Sequence, residues 1–326
     1  MTVAGAGPIR GAIERDRLGG VILFDRDQTT GGPRNIRSAA QLRSLTADLR
    51  ALVPDRRLLI AVDQEGGRVT RLGPSTGFPA VASEAQVGRA DDPAMAAAWA
   101  RGIARTLADV GIDLNLAPVV DLDVNPQNPA IGALGRSFSA DPAIVTRLAT
   151  IEIDAHRKAG VATCLKHFPG LGSATVNTDF GVADVTKTWT RRELEPYRRL
   201  IDAGSVDAIM AAHVVDRNLD AKHPASLSRS VVTDLLRGEL GWDGVVVTDD
   251  LGAAAITSAF GADEAIALAL EAGSDILLFA NQQRYDGGLA THVIDVIEGL
   301  VTAGRIDEAR IDASRGRIAR LSGPPS

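Results

Sequence analysis

Polar and charged residues follow several short apolar runs of this sequence, at the points where those runs end. Two of these points carry consecutive ionisable pairs, Lys166-His167 and Asp249-Asp250. The other members of the set are Asp63, Glu65, Arg68, Asp121, Arg136, His213 and Asn281. If the apolar runs are parallel strands of a barrel, their carboxyl ends meet at one face, so we expect these side chains to share one mouth.

Carboxylates dominate this set, and hydrolysis of a glycosidic bond is the reaction that fits it best. That reaction needs two carboxyl groups flanking the bond and polar groups that bind sugar hydroxyls. The five histidines include no His-x-His or His-x₃-His pair, so we expect no metal site. No cofactor is expected either. An alternative is a Schiff-base barrel such as an aldolase, in which a desolvated Lys166 would be the nucleophile.

The apolar runs and the segments between them predict alternating strands and helices. Continuous apolar runs indicate parallel strands buried on both faces. They are a stub at 2–5 and the runs 21–24, 58–62, 114–120, 161–165, 208–212, 245–248 and 276–279. Helical spacing predicts helices over 38–52, 92–110, 141–159, 190–203, 230–239, 263–272, 288–303 and 307–321. Asp-Pro openings at Asp92 and Asp141 predict N-caps, and Thr190 with Glu193 predicts a capping box.

Eight repeats of strand and helix predict an α/β protein of the (β/α)₈ TIM-barrel class. A doubly wound open sheet is the alternative, although no Gly-rich dinucleotide fingerprint follows the first strand. Composition does not change along the chain, so we expect one barrel domain over residues 1–326. The lone Cys164 is expected to be buried on a strand. His156, His223 and His292 are expected at the surface.

The overall charge argues against nucleic acid as a partner. The net charge is −6 and the pI about 5.4, without a basic stripe. No apolar stretch approaches the length of a membrane span, and no signal peptide is visible at the N-terminus. We expect a small carbohydrate or glycan substrate and either a cytoplasmic protein or an exported one whose targeting segment is absent. The oligomeric state is left open, and a monomer is compatible with the sequence.

Four separated motifs resemble those of a known family. They are AVDQEGGRVTRL at 61–72, GRSF at 135–138, KHFPGLG at 166–172 and GVVVTDDLG at 244–252. In this order they resemble the barrel domain of glycoside hydrolase family 3, in its single-domain bacterial β-N-acetylglucosaminidase branch. The resemblance extends from Gly19 to about Asn281. It implies a retaining exo-β-glycosidase that releases a terminal, non-reducing β-linked N-acetylglucosamine.

The resemblance also implies roles for individual residues. Asp249, the first Asp after Thr248, would be the nucleophile that forms a covalent glycosyl-enzyme. The positions that match sugar-binding residues are Asp63, Arg136, Lys166 and His167. His213, at another strand end, is a further candidate for substrate binding or for a hydrogen-bonded place in the rim.

One segment departs from the family pattern. In that branch the segment after KHFPGHG carries Asp-Ser-His, whose His is the acid/base. Here Leu171 replaces the first loop His, Asn177 replaces the Asp and Asp179 replaces the acid/base His. We hypothesise that Asp179 is the acid/base, because a partly desolvated carboxylic acid can keep its proton near neutral pH.

Other outcomes of this departure remain open. The acid could come from elsewhere in the chain, with a preference for activated substrates or for sugar transfer. The protein could also be a sugar-binding protein that has lost hydrolysis. An Asp acid/base makes a β-glucosidase, or another exo-β-glycosidase of the family, the main alternative to the N-acetylhexosaminidase.

Overall fold

The computed structural model describes residues 7–282 and 285–321, so the predicted strand stub at 2–5 lies outside the described residues. Six strands form one parallel sheet: β1 (Gly20–Leu23), β2 (Leu59–Val62), β5 (Leu114–Asn115), β6 (Ala162–Phe168), β8 (Ala208–Ala211) and β10 (Val245–Thr248). Four short strands make two accessory pairs, β3 (Gln64–Gly66) with β4 (Val69–Thr70) and β7 (Ala183–Asp184) with β9 (Val214–Val215).

Helices connect the strands of the sheet. The α-helices are α1 (Gly7–Glu14), α2 (Ala39–Ala51), α3 (Glu84–Ala90), α4 (Pro93–Asp109), α5 (Pro142–Lys158), α6 (Glu195–Asp202), α7 (Ala254–Thr257), α8 (Ala262–Ala272), α9 (Leu289–Thr302) and α10 (Glu308–Leu321). The predicted helix at 230–239 is a π-helix, Ser230–Glu239. Short 3₁₀ turns lie at Pro74–Thr76, Gly132–Leu134, Arg191–Leu194 and Ala225–Leu227.

The helix starts follow the capping rules at three positions and depart from them at a fourth. Ser38, Asp92 and Asp141 each accept backbone N–H groups of the first turn, as their sequence context predicted. The capping box at Thr190 is wrong, because Thr190 makes no side-chain cap bond and a 3₁₀ turn precedes α6. Glu193 is buried instead and accepts the Gly172 N–H at 3.1 Å.

Both faces of the sheet are buried, as the continuous apolar runs predicted. Side chains alternate along a strand, so every second residue faces the same side. The inner cluster consists of Leu59, Ala61, Leu114, Leu116, Cys164, Ala208, Met210, Val245 and Val247. The intervening Ile60, Ile209 and Val246 belong to clusters that include helix residues. Cys164 is therefore a buried strand residue, as expected.

The predicted barrel of eight strands is confirmed only as an α/β fold with a curled, open parallel sheet. The predicted strand 276–279 contributes a parallel bridge from Ile276 to Val247 instead of a strand. The Leu278 N–H bonds to the Thr248 hydroxyl at 3.0 Å, so the backbone ladder does not continue. The predicted strand 114–120 is similarly short, because it ends at Asn115 and only a parallel bridge from Val119 to Lys166 continues the pairing.

Two further expectations need correction. β6 runs to Phe168, so Lys166 and His167 lie within the end of the strand and not after it. His156, expected at the surface, is fully buried in α5. Its Nδ1 lies 2.8 Å from the Glu152 carbonyl and its Nε2 lies 3.1 Å from Asn115 Nδ2. Burial lowers the pKa of His156 to about 4, so this ring is neutral and structural.

Candidate active site

Lys166 lies between two carboxylates at the end of β6. Its side chain is only 2% exposed, and Nζ lies 2.8 Å from Asp63 Oδ1 and 2.6 Å from Glu65 Oε1. Burial by itself would lower the pKa of Lys166, but the two carboxylates outweigh it and raise that pKa to about 12. Lys166 is therefore a fixed cation, and this contradicts the Schiff-base alternative, which needs a deprotonated amine.

Glu65 is the central residue of the charged cluster, and it pairs with Arg136 and Lys166 and not with Arg68. Arg136 Nε and Nη2 each donate to Glu65 at 2.7 Å, a bidentate pair. Arg68 is exposed, because the tight turn between β3 and β4 at Gly66 and Gly67 carries it out of the site. Burial would raise the pKa of the Glu65 carboxyl, but Arg136 and Lys166 hold it well below its usual range.

His167 is oriented by Asp121 and Arg136. Its Nδ1 lies 2.7 Å from Asp121 Oδ2, and its Nε2 lies 3.3 Å from Arg136 Nη2. A guanidinium can only donate, so Nε2 accepts and the ring proton belongs on Nδ1, where it bonds to Asp121. Asp121 and Arg136 thus hold the His167 ring in a fixed orientation.

Asp121 also braces the start of the segment that follows β6. Its Oδ1 accepts the Leu171 N–H at 2.7 Å. Asn128 Nδ2 donates to the Leu171 and Gly172 carbonyls at 2.6 and 3.1 Å. Leu171, which replaces the loop His of the family pattern, is buried and apolar. The loop's first residues are therefore held by Asp121 and Asn128.

Asp249 follows β10 and is held at the mouth of the sheet. Its N–H donates to the Ala211 carbonyl at 2.9 Å, and its Oδ1 accepts the Asp250 N–H at 2.9 Å. Burial would raise the pKa of Asp249, but the neighbouring His213 and His167, the Asp250 N–H and the Lys166 charge outweigh it. The pKa of Asp249 consequently lies below its ordinary value, and the carboxylate is ionised at neutral pH.

His213 and Asp250 hold the backbone around Asp249. His213 is fully buried, with Nδ1 2.7 Å from Ser226 Oγ and Nε2 2.8 Å from the Asp250 carbonyl. Asp250 Oδ1 accepts the N–H groups of Gly252 and Ala280 at 2.9 and 3.0 Å. Both ring nitrogens of His213 are thus hydrogen-bonded within the chain. This arrangement favours a hydrogen-bonded place in the rim over direct binding of substrate. Asp250 braces the neighbouring backbone through its two hydrogen bonds.

Asp179 lies in an exposed turn of the segment after β6. The turn is closed by the Asn177 side chain, which accepts the Asp179 N–H at 2.9 Å. The carbonyls of Thr178 and Asp179 each accept an N–H from α7 or its start, at Ala255 and Ala254, both at 3.2 Å. Desolvation by the surrounding protein, and next the charge of Asp249, raise the pKa of Asp179 above its ordinary value.

Sequence reasoning missed the roles of two buried carboxylates near this site. Glu65 was placed among the strand-end residues without its partners, and Glu193 was taken only as part of a helix cap. Burial raises the pKa of Glu193 to about 7, and the Asp121 charge acts in the same direction. The strand-end position of Glu65 was a usable signal, whereas Glu193 is brought to the site by tertiary packing alone.

Residues 7–282 and 285–321 contain no cluster of three or more His, Cys, Asp or Glu side chains arranged to hold a metal ion. Over the same residues, no helix combines the length and apolarity needed to cross a bilayer.

The profile of the "Glycosyl hydrolase family 3 N terminal domain" matches residues 5–321. The chain belongs to glycosyl hydrolase family 3. A β-hexosaminidase of Pseudomonas aeruginosa is 38% identical to this family 3 chain over 280 residues, which are 84% of this chain and 78% of the relative. β-Hexosaminidase A of Pseudoalteromonas piscicida is 33% identical over 336 residues, 95% of this chain and 54% of the relative.

Solved structures of the family are similar in fold. A β-N-acetylglucosaminidase from Paenibacillus sp. FPU-7 superposes with a TM-score of 0.87 at 39% identity, covering 96% of this chain and 58% of that one. A β-N-acetylhexosaminidase from Beutenbergia cavernae gives a TM-score of 0.87 at 34% identity, covering 99% and 95%. This family 3 chain thus spans little more than half of some relatives and nearly the full length of others.

Proposed function

We propose that this protein is a retaining exo-β-glycosidase, a β-N-acetylhexosaminidase that releases a terminal, non-reducing β-linked N-acetylglucosamine. Family membership supports the reaction class. The names of relatives such as the P. aeruginosa β-hexosaminidase and the Paenibacillus β-N-acetylglucosaminidase support the sugar.

One observation carries the proposed mechanism: two neighbouring carboxyl groups have pKa values displaced in opposite directions. The pKa of Asp249 is lowered and that of Asp179 is raised, in part by the charge of Asp249 itself. An ionised carboxylate suits a nucleophile, and a protonated one suits a general acid. We therefore assign the attack to Asp249 and the proton transfer to Asp179.

The reaction proceeds by two displacements. An Asp249 oxygen attacks the anomeric carbon while the bond from that carbon to the glycosidic oxygen breaks, and Asp179 gives its proton to the departing oxygen. Asp179, now ionised, then removes a proton from water, whose oxygen displaces Asp249 from the anomeric carbon. Two inversions return the sugar with its original β configuration.

The charged cluster at the ends of β2 and β6 supplies hydrogen bonds for the sugar. Asp63 is partly exposed and can accept hydroxyl hydrogens. Lys166 uses two of its three ammonium hydrogens on Asp63 and Glu65, which leaves one for a sugar hydroxyl. We propose that Asp63, Arg136, Lys166 and His167 bind the sugar. For His213, whose ring nitrogens are already engaged, we propose that it positions the Asp249 backbone.

A β-glucosidase is the second candidate, and the carboxylate at position 179 is the observation that favours it. A histidine acid/base avoids placing two anions close to a 2-acetamido sugar, and this chain lacks that histidine. A panel of β-glycosides that differ only in the sugar decides between the two.

We also propose that the chain forms one (β/α)₈ barrel domain over residues 1–326. Contacts between the two ends of the sheet support closure. Arg34, after β1, donates to the Ala280 and Asn281 carbonyls at 3.1 and 3.3 Å. Thr29 donates to the Gln282 carbonyl at 3.0 Å. Ile22 of β1 belongs to the same apolar cluster as Ile276.

The function is tested with aryl β-glycosides of N-acetylglucosamine, N-acetylgalactosamine, glucose and xylose. We expect N-acetylglucosaminide hydrolysis to dominate and Asp249→Asn to lower it by about 10⁴-fold or more. A 5-fluoro-N-acetylglucosaminyl fluoride should leave a covalent sugar on Asp249, located by peptide mass spectrometry. Undiminished hydrolysis by Asp249→Asn would contradict the proposed mechanism. Sugar binding without turnover in the wild type would assign a binding protein instead.

A further inference from the structure

Three exposed apolar side chains lie within three residues of Asp179 in the segment after β6. Val176, Phe180 and Val182 are 38%, 79% and 46% exposed, and together we call them the apolar rim. Within the described residues six large hydrophobic side chains are exposed, so half of them belong to this one short segment. Clustered exposed apolar groups next to a cleft are typical of binding surfaces.

The backbone of the apolar rim is fixed although its side chains are exposed. The Phe180 N–H donates to the Asn177 carbonyl at 3.0 Å, and the Gly181 N–H donates to the same carbonyl at 3.1 Å. The turn is also bonded to Ala254 and Ala255, just beyond Asp249. Phe180 is therefore held beside the proposed catalytic pair without being covered by its own chain.

The position of the general acid determines which part of the substrate lies next to Phe180. A general acid works within hydrogen-bond reach of the atom it protonates, about 3 Å. The glycosidic oxygen must therefore approach the Asp179 carboxyl, and the leaving group is bonded to that oxygen. Adjacent Cα atoms are about 3.8 Å apart, so the leaving group passes within side-chain reach of residue 180.

We propose that the apolar rim, with Phe180 as its platform, binds the sugar ring of the leaving group. This inference rests on the proposed function, because it takes Asp179 as the acid. One face of a pyranose ring presents C–H groups, and the negative face of an aromatic ring attracts them while both surfaces lose water. The polar cluster at Asp63 and Lys166 binds the sugar that is cleaved, whereas the rim recognises the sugar that leaves.

The test compares two substrates that share the cleaved sugar and differ in the leaving group. N,N′-diacetylchitobiose has a full sugar ring as leaving group, and β-N-acetylglucosaminyl fluoride has one atom. Phe180→Ala is expected to lower kcat/KM about tenfold for the disaccharide and less than about twofold for the fluoride. Phe180→Trp keeps an aromatic face and should retain the disaccharide activity.

A matched control is Met95→Ala in the first turn of α4, another exposed apolar side chain. This substitution should leave kcat/KM for both substrates unchanged. Phe180 contributes little to the protein's own packing, so its thermal unfolding temperature should stay within about 1 °C on substitution. This comparison separates a lost contact from a misfolded loop.

Three results would overturn the rim assignment. An equal loss of kcat/KM for both substrates would mean that Phe180 acts through Asp179. No loss for either substrate would mean that the Phe180 ring does not bind the leaving group. A wild-type oligomer that becomes monomeric in Phe180→Ala would assign the ring to a contact between copies. Failure of the proposed function looks different, because Asp249→Asn would then keep activity on both substrates.

Discussion

At the scale of single residues, the chemistry depends on how the protein treats two carboxyl groups of the same type. Asp249 receives the Asp250 N–H and faces His213 and Lys166, so its charge is compensated. Asp179 lies in an exposed turn, but the surrounding protein partly desolvates its carboxyl group and it faces the charge of Asp249, so its pKa is raised. The difference arises from neighbours and not from the residue type, which is aspartate in both cases.

Replacing Asp179 should affect substrates according to their leaving groups. We expect Asp179→Ala to lower kcat/KM for N,N′-diacetylchitobiose by about 10²–10⁴-fold, the usual contribution of a general acid. A 2,4-dinitrophenyl glycoside has a leaving group that needs little protonation to depart. The rate at which it forms the glycosyl-enzyme should therefore fall much less. Added azide should restore turnover of the dinitrophenyl substrate and give a β-glycosyl azide, detected by NMR. Unchanged disaccharide hydrolysis would remove Asp179 from the mechanism.

The same pair predicts the pH dependence of kcat/KM. Activity should fall at low pH as Asp249 becomes protonated, below the ordinary range because its pKa is lowered. It should fall at higher pH as Asp179 loses its proton, above the ordinary range because its pKa is raised. The alkaline limb should disappear in Asp179→Ala with the dinitrophenyl substrate. An alkaline limb that persists unchanged would belong to another group.

At the scale of elements, the segment after β6 is anchored at its start and docked at its tip. Asp121 and Asn128 hold Leu171 and Gly172, and Glu193 accepts the Gly172 N–H from the 3₁₀ turn before α6. A Cβ at Gly170 would lie 2.7 Å from Glu193, so only glycine permits this close approach. The position of Asp179 therefore depends on contacts with elements distant in the sequence.

Glu193 should make stability depend on pH. Burial raises the pKa of Glu193 from 4.5 to about 7, so its protonated form favours the folded state. That contribution is complete below about pH 4.5 and is lost as the pH rises through about 7. Glu193→Gln keeps an acceptor for Gly172 without a charge. The free energy of unfolding of Glu193→Gln minus that of the wild type should therefore increase by on the order of 3 kcal/mol from pH 5 to pH 8.

The matched control is Glu195→Gln, two residues further along. Glu195 is exposed and pairs with Arg199 within α6. Its substitution should leave the difference from wild type nearly constant across the same pH range, measured by urea unfolding. A difference for Glu193→Gln that does not vary with pH would show that this carboxyl is not the titrating group.

At the scale of the whole molecule, one buried aspartate joins the end of the chain to the sheet. Asp275 is completely buried and accepts hydrogen bonds from Arg237 at 2.8 Å and from Arg317 at 3.2 Å. Its side chain also accepts the Val246 N–H at 3.0 Å and the Ser314 hydroxyl at 2.6 Å. The π-helix, β10 and α10 are thereby fixed to one carboxylate at the end of the sheet opposite the active site.

Asp275→Asn should destabilise the whole fold without changing the chemistry. The guanidinium groups around position 275 would lose their buried counter-charge, and breaking a buried pair costs about 3 kcal/mol or more. Guanidinium chloride unfolding measures this loss. Asp312→Asn is the control, because the Asp312–Arg315 pair is exposed, and it should change stability by less than about 0.5 kcal/mol. Comparable effects in both variants would contradict a central role for Asp275.

Much of the fold was predictable because local physics specified it. Continuous apolar runs such as Leu59–Val62 and Val245–Thr248 became strands buried on both faces. Ser38, Asp92 and Asp141 cap helices by bonds within a few residues. The predictions failed where distant contacts took over. Thr190 does not cap its helix, since Glu193 is drawn to Gly172, and His156 is buried between neighbouring elements.

The sequence by itself determined which chemistry was available and which strand ends would carry it. The strand-end position placed Asp249 among the candidates at the mouth, and the family resemblance singled it out as the nucleophile. Only the tertiary structure decided the states of these groups. The partner of Glu65, the charge on Lys166, and the opposite pKa shifts of Asp249 and Asp179 depend on distances between residues far apart in the chain. Electrostatic energy follows distance and burial, neither of which sequence spacing specifies.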